Sequence, residues 1–145
     1  MSKPWLQSYP EGVPAEISID EYASVADIFD QSVCKYEELP AYSNFGKTIS
    51  YKEVKEFTSN LGAYLKHELG LDKGAKVAVM MPNLLQNPIA IFGILRAGLV
   101  VVNTNPLYTA RELKHQMNDS GARAIIIVDT INDMPNQGFM PETNM

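Results

Sequence analysis

The residues best placed to do chemistry lie in "VVNTNPLYTARELKHQ", residues 101–116. An apolar run ends there in Asn103, Thr104 and Asn105, and Tyr108, Thr109, Arg111 and His115 follow. Amides after an apolar strand can orient a ligand, because open α/β sheets bind ligands at the carboxyl ends of their strands. The same amides ahead of Pro106 also favour a turn, and the sequence leaves both readings open. Tyr108 fits a lid, a stacking platform or plain packing. His115 and His67 are the two histidines, and both fall in predicted helices. His115 reads as a helix-surface residue before it reads as a catalytic base. The single cysteine, Cys34, has no histidine near it in sequence, so a packed or half-exposed thiol is expected rather than a nucleophile. No Cys/His/Asp cluster has metal-ligand spacing, and no catalytic residue or metal ligand is assigned. The turns "PNLLQNP" and "NTNPLYT" contain no glycine. A phosphate cradle needs small residues so that backbone N–H groups can approach the oxygens, and neither turn supplies it. Neither is a dinucleotide-binding glycine motif or a Walker loop.

The elements that must position these residues are legible from periodicity. Ser24 with Asp27 forms a capping-box pattern, and Val25, Ile28, Phe29, Val33 and Tyr36 follow at helical spacing, ending before Pro40. "AYSNFGKTISY" reads as two short strands around Gly46-Lys47. Ser50 with Glu53 opens a second helix whose Val54, Phe57, Leu61 and Leu65 share a face, with Gly70 as its stop. "AKVAVMM", "LVVVN" and "AIIIVD" are apolar almost throughout, as strands covered on both faces are. Between the first two lies a nearly all-apolar helix, residues 84–97, stopped by Gly98. Either Asn83 caps it and Pro88 distorts its first turns, or Asn87 caps it and Pro88 is its first residue. Being apolar all round, this helix expects cover on all sides, and without it a large apolar patch and self-association follow. Thr109 with Glu112 opens the last helix, which ends between Asn118 and Gly121. Strand, helix, strand, helix, strand predicts an α/β fold, a parallel sheet with right-handed crossover helices.

The totals set limits. A chain of 145 residues with 46% hydrophobic residues is one domain long and can bury a core. A net charge of −5 argues against nucleic acid as a partner. One cysteine and no apolar leader fit the cytoplasm. The longest apolar stretch is interrupted by Arg96 and Gly98, so it reads as a buried helix and strand rather than a membrane span. Contact with the inner face of a membrane stays open as a peripheral one. Residues 1–18, with Pro4, Pro10 and Pro14 among Trp5, Leu6 and Tyr9, read as an arm laid over another surface without regular helix. Residues 19–130 form the folded part. Residues 131–145, with Pro135, Gly138 and Pro141, read as a divergent, disordered tail.

In order and spacing, these motifs resemble the adenylate-forming superfamily of acyl-CoA synthetases, luciferases and peptide-synthetase adenylation domains. "TISYKEV", Thr48 to Val54, resembles its first core motif, and "ILRAGLVVVNTNP", Ile94 to Pro106, its second. "PWLQSYPEGVPAEI", "VAVMMPNLLQNPIAIFGILRAG" and "PLYTARELKHQMNDSGARAII" are similar to bacterial long-chain fatty acid–CoA ligases, over about residues 4–129. The resemblance implies a partial N-terminal AMP-binding subdomain. It implies that the parent enzyme uses ATP, Mg²⁺ and CoA with a long-chain fatty acid, through an acyl-adenylate. It also implies that the strand-end loop faces the approach of CoA, which places Tyr108, Thr109, Arg111 and His115 near that ligand. No position here matches the family's phosphate loop, ribose-binding acid, hinge or C-terminal lysine. The chain alone is therefore expected to be inactive and to bind none of these ligands tightly. The competing readings are a self-sufficient α/β binding module and a regulatory chain that associates with the full-length enzyme.

Overall fold

The computed structural model describes residues 3–18 and 20–128. The expected tail, residues 131–145, lies outside the described residues. The elements run in chain order as helix α1 (Val25–Lys35), strands β1 (Pro40–Asn44) and β2 (Lys47–Ser50), and helix α2 (Tyr51–His67). Strand β3 (Lys76–Met80), helix α3 (Gln86–Arg96), strand β4 (Val100–Asn103), helix α4 (Ala110–Ser120) and strand β5 (Ala124–Ile127) follow. A 3-10 turn at Pro4–Ser8 precedes them. It is the one regular piece of the arm, with proline in its first turn where no N–H is needed. Trp5, Tyr9, Val13 and Ile17 are exposed, so the arm is not laid over the rest of the described chain.

β3, β4 and β5 form one parallel sheet in the order β4-β3-β5, as the alternation of strands and helices predicted. Val77 pairs in register with Val101 on one side and Ala124 on the other. The two crossovers run across the sheet in opposite directions, so right-handed connections place α3 and α4 on opposite faces. The Lys76 ammonium donates to the Ser120 carbonyl at 2.6 Å and ties the end of α4 to the start of β3. The expectation that every strand is buried on both faces holds for β3 alone. Val77, Ala78, Val79 and Met80 are buried, whereas Val100 and Ile127 are exposed, because β4 and β5 are edge strands.

The core has two parts. Leu65, Val77, Val79, Ala90, Ile94 and Leu99 join α2, α3 and the sheet. Phe29, Val33, Ile49 and Val54 join α1, the hairpin and α2, with Ile89 and Phe92 of α3 packed against them. Phe29 and Phe92 stack with centroids 4.3 Å apart. α3 therefore serves both parts, and none of its large apolar residues is exposed. The expected bare patch is much reduced, because α1, α2 and the sheet cover most of the helix, and what remains is half-buried Ile91 and Phe92 along an open groove. On α1 only Phe29 and Val33 are buried, while Val25, Ile28 and Tyr36 stay exposed. Phe57 likewise departs from the buried face of α2.

Local signals mostly set the boundaries. Full capping boxes open α2 at Ser50/Glu53 and α4 at Thr109/Glu112. At α1 the box is half made: the Ser24 hydroxyl accepts from the Asp27 N–H, but the Asp27 carboxylate takes the Ala23 N–H instead of that of Ser24. The hairpin turn is Phe45-Gly46 rather than Gly46-Lys47, since Asn44 pairs with Lys47. Both turn residues have positive φ, 46° and 76°, as a two-residue hairpin turn of the right twist requires. Glycine accepts this freely; Phe45 does not. Neither cap proposed for α3 is used. The helix starts at Gln86 after Leu85 with no side-chain cap, and Pro88 sits inside the first turn, where its missing N–H breaks no helical bond.

Candidate functional site

The strand ends on the carboxyl side of the sheet open into two loops. In the second, Thr104 is buried; its N–H donates to the Val79 carbonyl at 3.0 Å and its hydroxyl to the Val102 carbonyl at 3.2 Å. The Asn105 side-chain oxygen accepts from the Leu107 N–H at 2.9 Å, which closes a small turn ahead of the helix. The turn reading of Asn105 is thus the one the geometry shows. Asn103 ends β4 with its side chain exposed.

Thr109 is fully occupied as the cap of α4. Its N–H and hydroxyl donate to the Glu112 carboxylate at 2.8 and 2.7 Å, and its hydroxyl oxygen accepts from the Glu112 N–H at 3.4 Å. The Thr109 hydroxyl and then its N–H hold the Glu112 carboxyl below the ordinary glutamate value. Tyr108 is half-buried beside this cap. Leu113, Gln116, Met117 and Ser120 are the half-buried positions of α4, so the opposite face looks outward. Arg111 and His115, four residues apart, share that outward face and are exposed. Among the described residues their side chains make no hydrogen bond or ion pair. The four residues expected together are therefore split. Tyr108 and Thr109 belong to the loop and its cap, whereas Arg111 and His115 stand on the solvent side of the helix.

The first loop, after β3, borders an open groove of about 390 Å3 lined by Tyr42, Asn44, Asn83, Leu85, Pro88 and Phe92, among others. The Asn44 amide donates to the Asn83 carbonyl at 2.7 Å and fastens the hairpin to this loop. Its walls are apolar with a few amides, and no ionised group lines it. No group of three or more His, Cys, Asp or Glu among the described residues could hold a metal ion. The donors that Mg²⁺ would need are not found among the described residues. Cys34 is exposed, with the Lys55 ammonium 3.7 Å from its sulfur.

One polar centre escaped the sequence reading. The Arg96 guanidinium donates to Asp30 at 2.8 Å, to the hydroxyls of Thr58 and Ser59 at 2.8 Å each, and to the Lys55 carbonyl at 3.2 Å. It also lies 5.6 Å from the centre of the Phe29 ring. A single charge at the end of an apolar helix was the available signal, because such a charge needs partners. This centre joins α1, α2 and α3 and is structural: the Nε and Nη1 donors of Arg96 are spent on partners inside the protein.

The family model described as "AMP-binding enzyme" matches residues 29–143, well over half of the chain. The chain belongs to the AMP-binding enzyme family. Within this family it is 56% identical over 128 residues to the long-chain-fatty-acid–CoA ligase of Escherichia coli O6:H1, covering 88% of this chain and 23% of that protein. The corresponding ligase of Salmonella typhimurium is 55% identical with the same coverage. The chain thus spans about a quarter of the length of these AMP-binding relatives. Among solved structures, the N-terminal subdomain of NpsA from Klebsiella oxytoca superposes with a TM-score of 0.68 at 27% identity, covering 79% of this chain and 29% of that one. The three-stranded parallel sheet and its helices are therefore part of an AMP-binding, adenylate-forming fold. None of the described helices is long and apolar enough to cross a membrane.

Proposed function

We propose that the chain is the scaffold segment of a long-chain fatty acid–CoA ligase and does not activate fatty acids by itself. The observation that carries this reading is the 128-residue match, at 56% identity, to a ligase of which the chain spans 23%. In the parent reaction the fatty acid carboxylate attacks the α-phosphate of ATP, forming an acyl-adenylate and releasing pyrophosphate. The CoA thiol then attacks the acyl carbon and releases AMP. That chemistry needs preorganised donors around the developing phosphate charge. Among the described residues the strand-end loops offer amides, a buried threonine and a capping threonine already in use, which frame a site without supplying such donors.

The part this chain plays toward CoA falls to α4. Arg111 and His115 project from its outward face, where a cation can meet a phosphate without displacing an internal partner. Tyr108 and Thr109 fix the direction of the helix: Thr109 holds its first turn, and half-buried Tyr108 seats the loop ahead of it. We place CoA contact at Arg111 and His115, with the other two as positioning residues. Contact with a membrane surface and a cytoplasmic location accompany this reading as properties of the whole ligase.

The test is fatty-acid-dependent ATP–pyrophosphate exchange by purified residues 1–145, beside calorimetric titration with CoA. Exchange is expected at the no-protein level, since loss of even one charge-stabilising donor commonly costs about 10²–10³ in rate. Exchange above that level, abolished by a substitution within this chain, refutes the scaffold reading. CoA is expected to bind weakly, with Kd on the order of 1 mM, and more weakly still after Arg111→Ala. An unchanged affinity in both Arg111→Ala and His115→Ala removes CoA from α4.

A further inference from the structure

An open cleft of about 290 Å3 lies between α1, α2 and α3, and its chemistry differs from that of the apolar groove after β3. It is lined by Asp30, Thr58, Ser59, Lys66 and Arg96, with small residues such as Gly62 and Ala97 leaving it room. α2 builds one wall: Ser59, Gly62 and Lys66 follow at spacings of three and four and so share a face. Helical side chains lean toward the N-terminus, so Lys66 leans along Gly62 toward Ser59. Arg96 comes from the end of α3 and Asp30 from α1. Several groups there keep unused hydrogen-bonding capacity. Arg96 Nη2 has no partner among the described residues, and no buried side-chain nitrogen or oxygen there lacks one, so Nη2 meets solvent. The Ser59 oxygen accepts from Arg96, which leaves its O–H to donate. The Lys66 ammonium forms no ion pair among the described residues. Asp30 gives one carboxylate oxygen to Arg96 and keeps the other. Thr58 is closed by contrast, its hydroxyl donating to the Val54 carbonyl at 2.8 Å.

We propose that this cleft binds a free hydrogen phosphate ion. Arg96 and Lys66 face the single carboxylate of Asp30, so the lining carries a net positive charge in a chain whose net charge is −5. Arg96 Nη2, the Ser59 O–H and the Lys66 ammonium donate to anionic oxygens, and charge-assisted bonds of this kind are the strong ones. The free Asp30 oxygen then selects among oxyanions. An ionised carboxylate only accepts, so it repels an ion whose oxygens are all bare and attracts one that carries a P–OH. Near neutral pH hydrogen phosphate keeps at least one such group, and sulfate keeps none. A phosphate monoester loses its last one at a pKa of about 6. The cleft thus fits the free ion better than sulfate or a monoester. It stands beside α3, on the opposite face of the sheet from α4, and does not rest on the CoA reading.

Amide chemical shifts of the isotope-labelled full chain, titrated at constant ionic strength and about pH 8, test the site. Sodium phosphate should give saturable shifts at Ser59, Gly62 and Lys66, with Kd on the order of 1 mM. Sulfate and glycerol phosphate should bind at least about tenfold more weakly, because each sets a bare anionic oxygen against Asp30. Asp30→Asn should bring sulfate within about twofold of phosphate, since an amide also donates. Lys66→Ala should weaken phosphate roughly fivefold, the size of an exposed ion pair. Lys52→Ala is the control: Lys52 is an exposed lysine of the same helix that does not line the cleft, and phosphate affinity should be unchanged. Shifts that never saturate overturn the proposal, and so does sulfate or glycerol phosphate binding as tightly as phosphate. Equal losses in Lys52→Ala and Lys66→Ala overturn it too, because the effect is then one of net charge. Should Asp30→Asn fail to fold, the comparison of the three anions on the unvaried chain decides.

Discussion

Replacing Arg96 by methionine is the sharpest probe of what holds this fold. Methionine keeps most of the aliphatic stem and removes the guanidinium, with it the approach of that charge to the Phe29 ring. Four acceptors lose their donor: Asp30, Thr58, Ser59 and the Lys55 carbonyl. They do not count equally. The Asp30 side chain is 51% exposed, so that ion pair is worth at most about 1 kcal/mol. Thr58 is fully buried, but its hydroxyl still donates to the Val54 carbonyl at 2.8 Å and is not left bare. The Lys55 carbonyl lies within α2 and keeps its place in the helix. Hydrogen bonds from a charged donor contribute about 1.5–3 kcal/mol each, but bonds sharing one donor group do not add, so the whole change should cost about 2 kcal/mol. With unfolding entropy near 2.1 cal/mol/K per residue, and about 110 ordered residues, that is a fall of roughly 9 °C in Tm.

The assay is urea and thermal unfolding followed by circular dichroism, run as a cycle with Asp30→Asn. Asp30→Asn alone should cost about 1 kcal/mol or less, and the coupling between the two sites should not exceed that. Arg96→Lys should rescue only part of the loss, because one ammonium cannot reproduce a planar fork aimed at several acceptors. If Arg96→Met melts within about 0.5 kcal/mol of the unvaried chain, the three-helix centre is ornamental and the reasoning fails. If the coupling with Asp30 accounts for the entire loss, the Thr58 and Ser59 hydroxyls contribute nothing and the assignment of weights is wrong.

Three further outcomes are expected. At the α2–α3 crossing, a methyl group on Gly93 would lie 2.9 Å from Leu61 Cδ2 and 3.2 Å from its Cβ and Cγ; Gly93→Ala should destabilise by about 1 kcal/mol net of its helix-propensity gain, and any stabilisation in urea would contradict the close packing. Phe45 is 92% exposed at φ 46°, so Phe45→Asn should stabilise the hairpin by about 0.5–1 kcal/mol by relieving the backbone, and a loss of stability would show that the phenyl ring makes a contact that matters. The Glu53 carboxyl is held below its ordinary value by the Ser50 N–H and then its hydroxyl, and Glu112 by the Thr109 hydroxyl and then its N–H. Depressed carboxyls stabilise above their unfolded pKa and lose that contribution as pH falls through the folded one, so urea midpoints should drop on acidification and drop less in the Glu53→Gln, Glu112→Gln double variant; equal slopes would refute the linkage.

What the sequence made legible was whatever local chemistry decides. Ser50 and Thr109 announced their helices because a capping box is complete within four residues. The three apolar runs announced parallel strands because only short crossover helices separate them. What it hid depends on long-range placement. "LVVVN" and "AIIIVD" look as buried as "AKVAVMM", and only the order β4-β3-β5 exposes the first two at the edges. The start of α3 was ambiguous because proline is tolerated throughout a first helical turn, and Leu85 gives no polar signal. At the candidate site, one conflict was already visible. Thr109 was read both as a helix cap and as a ligand contact, yet the capping box leaves it little to offer a ligand. Arg111 and His115 sit at a spacing of four, which could have placed them on one helix face, but not which way that face looks.

The anchoring of the chain is uneven, and this bears on what each part can do. Among the described residues, the largest fully buried side chains lie on α1, α2, β3 or α3: Val33, Val54, Thr58, Leu65, Val77 and Ile94. α4 has no buried residue and β5 only half-buried or exposed ones. α4 is held instead by a capping box at its start and by the Lys76 ammonium at its end. Elements with few buried contacts open at lower free energy than the core around them, and binding surfaces are drawn from that end of the range. The proposed CoA-facing residues fall in this lightly anchored portion, after residue 100. The early portion, by contrast, spends the Nε and Nη1 donors of its half-buried Arg96 on partners of its own.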